Sequence, residues 1–193
     1  MTQQPDDHEI AYRTSMDDLP GGEVLFIMSF HELVPRAVRD LYGHSYVAHA
    51  SALPNGRGWS PMEWQILDGA REITTSLILA EDQTDSGAIC CQATFQVEDH
   101  ELRDEIETKL FEVCLDLMTR AIDIHAPLAP RAQVGDGSSY PRRTPADSKL
   151  DPSSPLDAQF DILRIADSRR FPAFVDIRGH RYWHDPLSSV RCL

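Results

Sequence analysis

The sequence predicts an α+β domain in which a mostly antiparallel sheet packs on one long helix at about residues 99–124, with one or two smaller helices beside it. Three observations lead there. Leu102, Ile106, Leu110, Val113, Leu117 and Ala121 recur at helical spacing and form one apolar stripe. Ile89, Cys91, Ala93, Phe95 and Val97 alternate with polar neighbours, the period of a half-buried strand. Glu23–Phe30 is a continuous apolar run of strand length, which suits a buried central strand. A chain of 193 residues, 41% hydrophobic and 25% charged, has the size and composition of one domain with a real core.

Residues 1–22 are polar and end in Leu19-Pro20-Gly21-Gly22, which reads as a flexible N-terminal arm with a short strand at Ile10–Arg13. The single α+β domain then runs over 23–193. After the Glu23–Phe30 strand, Pro35 suits the first turn of a short helix at 33–42, with Gly43 just past its end. Residues 44–58 carry no assignable period, only the turn signal Pro54-Asn55-Gly56. Ser60-Pro61-Met62-Glu63 is a helix start: serine as cap, proline at the first helical position, glutamate reaching back. Asp68-Gly69 and the β-branched run Ile73–Leu79 then favour a helix at 61–68 followed by a strand at 71–80, the rival being one helix over 61–80. Glu81–Gly87 is a polar turn, so strands 71–80 and 88–97 form an antiparallel hairpin.

In the long helix, Asp99 is the cap, and Glu101, Asp104 and Glu105 complement the positive end of its dipole. Residues 126–157 are dominated by Pro, Ser, Asp and Gly without apolar period, and read as a disordered or irregular insert. Gln159–Ile165 resumes as a strand. Ala173–Ile177 and His180–His184, joined through Arg178-Gly179, read as a hairpin that extends or covers the sheet.

The formal net charge of −13 disfavours general attraction to nucleic acid or anionic membranes. Residues 159–193 carry +2 and the rest −15, so the C-terminal segment either docks on the acidic body or presents arginine to a partner. No apolar run approaches the roughly 20 residues of a bilayer span. The polar, acidic N-terminus lacks the features of a secretory signal, which implies a cytoplasmic protein. Cys90, Cys91, Cys114 and Cys192 form no CxxC pair, and reduced thiols are expected.

No phosphate loop, dinucleotide glycine signature, HExxH zinc site or GxSxG elbow is present. Arg178, Arg181, Tyr182 and Trp183 combine basic and aromatic character, the side-chain mix of protein-interface hot spots and of single-strand nucleic-acid platforms. His180 and His184 are the best metal pair by residue type. On a strand they share a face roughly 13 Å apart, at about 3.3 Å per residue, too far for one zinc. No local motif surrounds His44 and His49.

These readings point to a non-catalytic binding or regulatory protein without a cofactor. Its partner is another protein ahead of nucleic acid, with no membrane contact and with homo-oligomer formation left open. The alternatives are a small hydrolase or nuclease working with histidine and carboxylates, with or without a metal, and a subunit or structural component of an assembly.

Overall fold

The computed structural model describes residues 9–123 and 127–184. Its main sheet has four strands: β1 (Gly22–Met28), β2 (Tyr42–His49), β4 (Glu72–Leu79) and β5 (Ile89–Gln96), in the order β1-β2-β4-β5. β1 runs parallel to β2, whereas β2–β4 and β4–β5 are antiparallel. Two small sheets complete the set. β3 (Arg57–Gly58) pairs in parallel with β6 (Ser139–Tyr140). β7 (Lys149–Leu150) pairs in parallel with β8 (Phe174–Ile177), which is antiparallel to β9 (His180–Trp183). The sheets are therefore mixed rather than mostly antiparallel.

The expected buried central strand is corrected in its place. β1 lies at the edge of the main sheet, its first residues exposed and the rest half-buried, so the apolar run covers one face of a two-layer structure without being enclosed. The helix expected at 33–42 shrinks to α1 (Arg36–Arg39), because residues from Tyr42 onward pair with β1 and β4 and become β2. Ile10–Arg13 forms no strand.

α2 (Pro61–Leu67) and β4 settle the ambiguous stretch as helix then strand, with Gly69 (φ +87°) supplying the left-handed turn between them. Pro61 occupies the first turn as the sequence requires, but Ser60 is itself left-handed and its side chain accepts no capping N–H. α3 (Arg103–Ala121) begins later than Asp99 suggested. Its first turn is closed by the Glu105 carboxylate, which accepts the Leu102 N–H at 2.9 Å. Of the α3 stripe, Ile106 and Leu117 are enclosed together with neighbouring Cys114, Leu110 and Val113 are half-buried, and Phe111 and Leu115 lie off the stripe, half exposed.

Two apolar layers result. On one face of the sheet, Tyr46, Leu77, Ile73 and Phe95 pack with Ile106, Val113 and Leu117 of α3 and with Met62 and Ile66 of α2. On the other face, Val47, Ile78 and Ile89 pack against Leu53. Burying a large aliphatic side chain contributes about 1.5–3 kcal/mol, so the five fully enclosed residues Ile66, Ile73, Leu77, Ile106 and Leu117 tie α2 and α3 to the sheet.

The stretch expected to be disordered or irregular contains β6, a 3-10 turn at Pro145–Ser148 and β7 from its described part. Backbone bonds in both directions join Arg131 to Ile89, at 2.8 and 2.9 Å, and Gln133 accepts from Arg57 at 2.6 Å. Low apolar content leaves such a segment no core of its own, so polar and backbone bonds to the sheet take that role. Gln159–Ile165 is a correction too. A 3-10 turn runs into the short helix α4 (Phe160–Arg164), whose buried Arg164 donates to the Glu98 carbonyl at 2.7 Å. The C-terminal hairpin forms with Arg178 (φ +52°) and Gly179 (φ +80°) at its turn, but it joins β7 and not the main sheet.

Candidate active site

β2 ends at His49, and its side chain shares with Val47 the face opposite α3. The chain then turns through 50–58 and runs back as β3. Asp85 lies in the connection between β4 and β5, at φ +53°, a conformation that Asp tolerates better than most residues. These two side chains meet: His49 Nδ1 stands 3.4 Å from Asp85 Oδ1, with the side chains only 8% and 7% exposed.

Each is held from a second side. His49 Nε2 lies 2.8 Å from the Gly56 carbonyl oxygen. A carbonyl can only accept, so Nε2 carries a proton, and Nδ1 is the nitrogen left to exchange a proton with Asp85. Asp85 Oδ2 accepts the Gly58 N–H at 2.8 Å, which fixes the carboxylate. The loop depends on glycine at 58. A Cβ there would stand 2.5 Å from the Tyr140 carbonyl oxygen, and its φ is +96°. Gln133 Nε2 donates to the carbonyls of Asp85 and Gly87, both at 2.8 Å, so the 127–140 stretch pins the turn that carries the acid.

The pair opens on a cavity of about 820 Å³. Its walls combine Met28, Val34, Ile78 and Leu79 with polar groups from Glu63, Arg103 and Arg170. Glu63 pairs with Arg103 at 3.2 Å, and Arg103 also donates to the Ile165 carbonyl at 2.9 Å. Behind them Arg143 is 3% exposed and gives one nitrogen to Ser148 Oγ at 3.0 Å. Burial pushes the Arg143 guanidinium below its ordinary value, and Glu63 opposes that shift.

None of the residues singled out at the C-terminus lines this cavity. Arg181 pairs with Asp176 at 2.9 Å and lies 3.9 Å from the centre of the Phe174 ring. Trp183 packs against Phe174, 5.2 Å between ring centres, with the Arg181 guanidinium also over its ring, and Tyr182 and Arg178 are exposed. His180 and His184 stand at opposite ends of β9, and His184 donates its N–H to the Ala173 carbonyl at 2.7 Å. Among the described residues no three His, Cys, Asp or Glu side chains gather to hold a metal ion. No helix among the described residues is long and apolar enough to cross a membrane.

Neither member of the buried pair stands out in the sequence. His49 sat in a stretch without a visible period, and Asp85 looked like one more polar residue of a turn. The available signal was the run of backbone-demanding residues around them, Pro54-Asn55-Gly56 and Gly58 after His49, and Gly87 after Asp85.

A mixed α/β layer with a buried acid–base pair opening on a large cavity is the architecture of a catalytic domain. The chain belongs to the formyl transferase family, whose model matches residues 11–122. The methionyl-tRNA formyltransferase of Acidothermus cellulolyticus is 30% identical over 169 residues, 86% of this chain and 52% of that protein. The methionyl-tRNA formyltransferase structure from Clostridium thermocellum superposes with a TM-score of 0.70 at 23% identity, covering 81% of this chain and 68% of that one. A structure of HypX from Aquifex aeolicus in complex with tetrahydrofolic acid superposes at 0.63 and 17% identity, covering 82% of this chain and 28% of that one. The chain spans about half or less of the length of the curated relatives it matches.

Membership of a family of enzymes overturns the expectation of a non-catalytic, protein-binding or regulatory protein. The alternatives of a hydrolase, a nuclease or an assembly subunit give way with it. The buried His49–Asp85 pair lies inside, at the end of β2 and in the β4–β5 connection, away from the aromatic periphery on which the binding expectation rested.

Proposed function

We propose that this chain transfers a formyl group from a formylated reduced folate to an amine, with the His49–Asp85 pair moving the proton that the amine must lose. The observation that carries the reading is the buried pair at the cavity wall in a chain of this family. In the transfer, the amine nitrogen bonds to the formyl carbon and the bond from that carbon to the donor nitrogen breaks. The proton leaves the acceptor nitrogen, and the departing donor nitrogen takes one up. His49 Nδ1 and Asp85 are placed to receive the first and return the second, because Nε2 is held by the Gly56 carbonyl and does not compete.

The site fits the donor. Its volume lies within the roughly 300–1,000 Å³ of cavities that enclose drug-sized ligands. Met28, Val34, Ile78 and Leu79 supply apolar walls for a flat ring system, and HypX of the same fold holds tetrahydrofolic acid. The relatives' name supports an acceptor amine carried on tRNA.

The test is a transfer assay with formylated reduced folate as donor and methionyl-tRNA as acceptor. His49→Asn is expected to lower kcat by about 10²–10⁴, the usual worth of a positioned acid–base group. A His49→Asn variant as fast as the parent would remove the assignment.

A further inference from the structure

Trp59, in the cavity wall, meets Arg142, which lies just outside that wall, where the chain leaves the two strands of the small β3–β6 sheet. Gly58 pairs with Tyr140, and the Trp59 N–H donates to the Tyr140 carbonyl at 3.3 Å. That register sets the Arg142 guanidinium over the Trp59 ring, 4.7 Å from its centre. The arrangement is braced from below: Trp64 stacks on Tyr140, 6.4 Å between ring centres at 14°, and its indole N–H donates to the Pro141 carbonyl at 2.9 Å. The backbone that presents Arg142 is therefore held by an aromatic pair and two backbone contacts.

Two features separate this pair from an ordinary surface contact. Trp59 is 40% exposed and is itself part of the cavity wall, directly following the Gly58 that holds Asp85. Arg142 is exposed, and among the described residues no carboxylate pairs with it, although the chain carries 31 acidic residues against 18 basic ones. Arg103 of the cavity wall, by contrast, pairs with Glu63 and Glu107. An arginine left with its full fork of donors, oriented by a tryptophan face, matches the planar geometry of a phosphate. The part of the indole left exposed beside the guanidinium, and the guanidinium plane itself, offer a surface on which a base stacks.

We infer that Trp59 and Arg142 form a nucleotide-phosphate subsite at the mouth of the cavity, which docks the phosphate-bearing end of the acceptor while its amine reaches towards His49. The inference rests on the proposed transfer for the identity of the ligand as acceptor, but binding at the subsite is independent of that chemistry. The same recognition serves a nucleoside diphosphate portion of a small acceptor or the terminal nucleotides of an RNA.

The test is direct binding by calorimetry to the full chain without donor, using uridine diphosphate in one arm and a short single-stranded RNA in the other. At least one probe is expected to bind, with affinity falling as salt rises. Arg142→Ala is expected to weaken it by about tenfold or more, equivalent to roughly 1.4 kcal/mol, with Arg142→Lys in between. Trp59→Ala is expected to weaken the same probe. Arg142 is exposed, so its variant tests the subsite even if Trp59→Ala fails to fold. Binding of neither probe, or binding unchanged in Arg142→Ala, overturns the subsite. The arm that responds distinguishes the small nucleotide from RNA. His49→Asn is expected to bind the probe as the parent does. Loss of transfer with binding intact would therefore count against the proposed reaction alone, and transfer without probe binding against the subsite alone.

Discussion

Asp85→Asn separates the two tasks of the acid, because asparagine keeps the shape and removes the proton acceptor. In the parent, one carboxylate oxygen takes the Gly58 N–H at 2.8 Å and the other faces His49 Nδ1 at 3.4 Å. Asparagine fills the site with its oxygen still towards Gly58 and its NH2 towards Nδ1. That amide then donates to Nδ1 while Nε2 donates to Gly56, which locks the imidazole neutral and leaves no proton to exchange. The bond to Gly58 weakens from charge-assisted to neutral, a loss of about 1 kcal/mol, and asparagine tolerates the left-handed backbone at φ +53°. The fold is therefore expected to survive while kcat for formyl transfer falls by about 10²–10⁴. Asp85→Ala gives the contrast. It loses the Gly58 bond outright and places a Cβ-only residue in the left-handed region, so it adds about 2–4 kcal/mol of destabilisation from an unsatisfied donor and backbone strain. Urea unfolding and steady-state transfer kinetics on the two variants read the two quantities separately. An Asn variant with parental kcat would refute the proton-relay argument, and an Ala variant as stable as the Asn variant would refute the structural role of the carboxylate.

Three further outcomes follow from burial and charge. Burial pushes the Cys90 and Cys114 thiols up to about 11, so site-resolved mass spectrometry should find both slow to alkylate at pH 8 and faster as pH approaches that value; prompt labelling at pH 8 would contradict their enclosure. Leu117 is fully buried between α3 and the sheet whereas Leu115 is 46% exposed, so Leu117→Ala should cost about 2–5 kcal/mol in denaturant unfolding and Leu115→Ala within about 1 kcal/mol; equal losses would show that the helix faces are misassigned. Hydrogen bonds from Arg181 and Lys149 lower the Asp176 carboxyl to about 2. Its stabilising contribution is therefore complete above the ordinary carboxylate range and is lost as pH falls through that value, and Asp176→Asn should flatten the low-pH decline in melting temperature; an unchanged pH profile would dismiss the pairing.

The elements legible in the sequence were those whose signal is local. The α3 stripe, the alternation of β5 and the Arg178-Gly179 turn are set by the backbone period and by φ preferences within a few residues. Helix α2 followed by β4 was readable for the same reason, since Gly69 interrupts the period where the chain turns. Residues Tyr42–His49 gave no such period because β2 is half-covered on both faces, by the α3 layer on one and by the 50–58 loop on the other. The Gln159–Ile165 stretch has an apolar pattern short enough to suit strand or helix, and contact with α2 and the buried Arg164 decided for helix.

By itself, then, the sequence determined the elements with a clean local period, α3, β4 and β5, and which side chains are apolar enough to be enclosed. Tertiary structure alone decided that β1 lies at an edge, that the polar 127–157 stretch clamps the Asp85 turn, and that His49 meets Asp85 beside Trp59 and Arg142. Secondary structure answers to torsional and hydrophobic preferences of neighbouring residues. A site is assembled by closing loops between distant ones, and the position of that closure is set by the packing of the whole sheet, which no window of sequence contains.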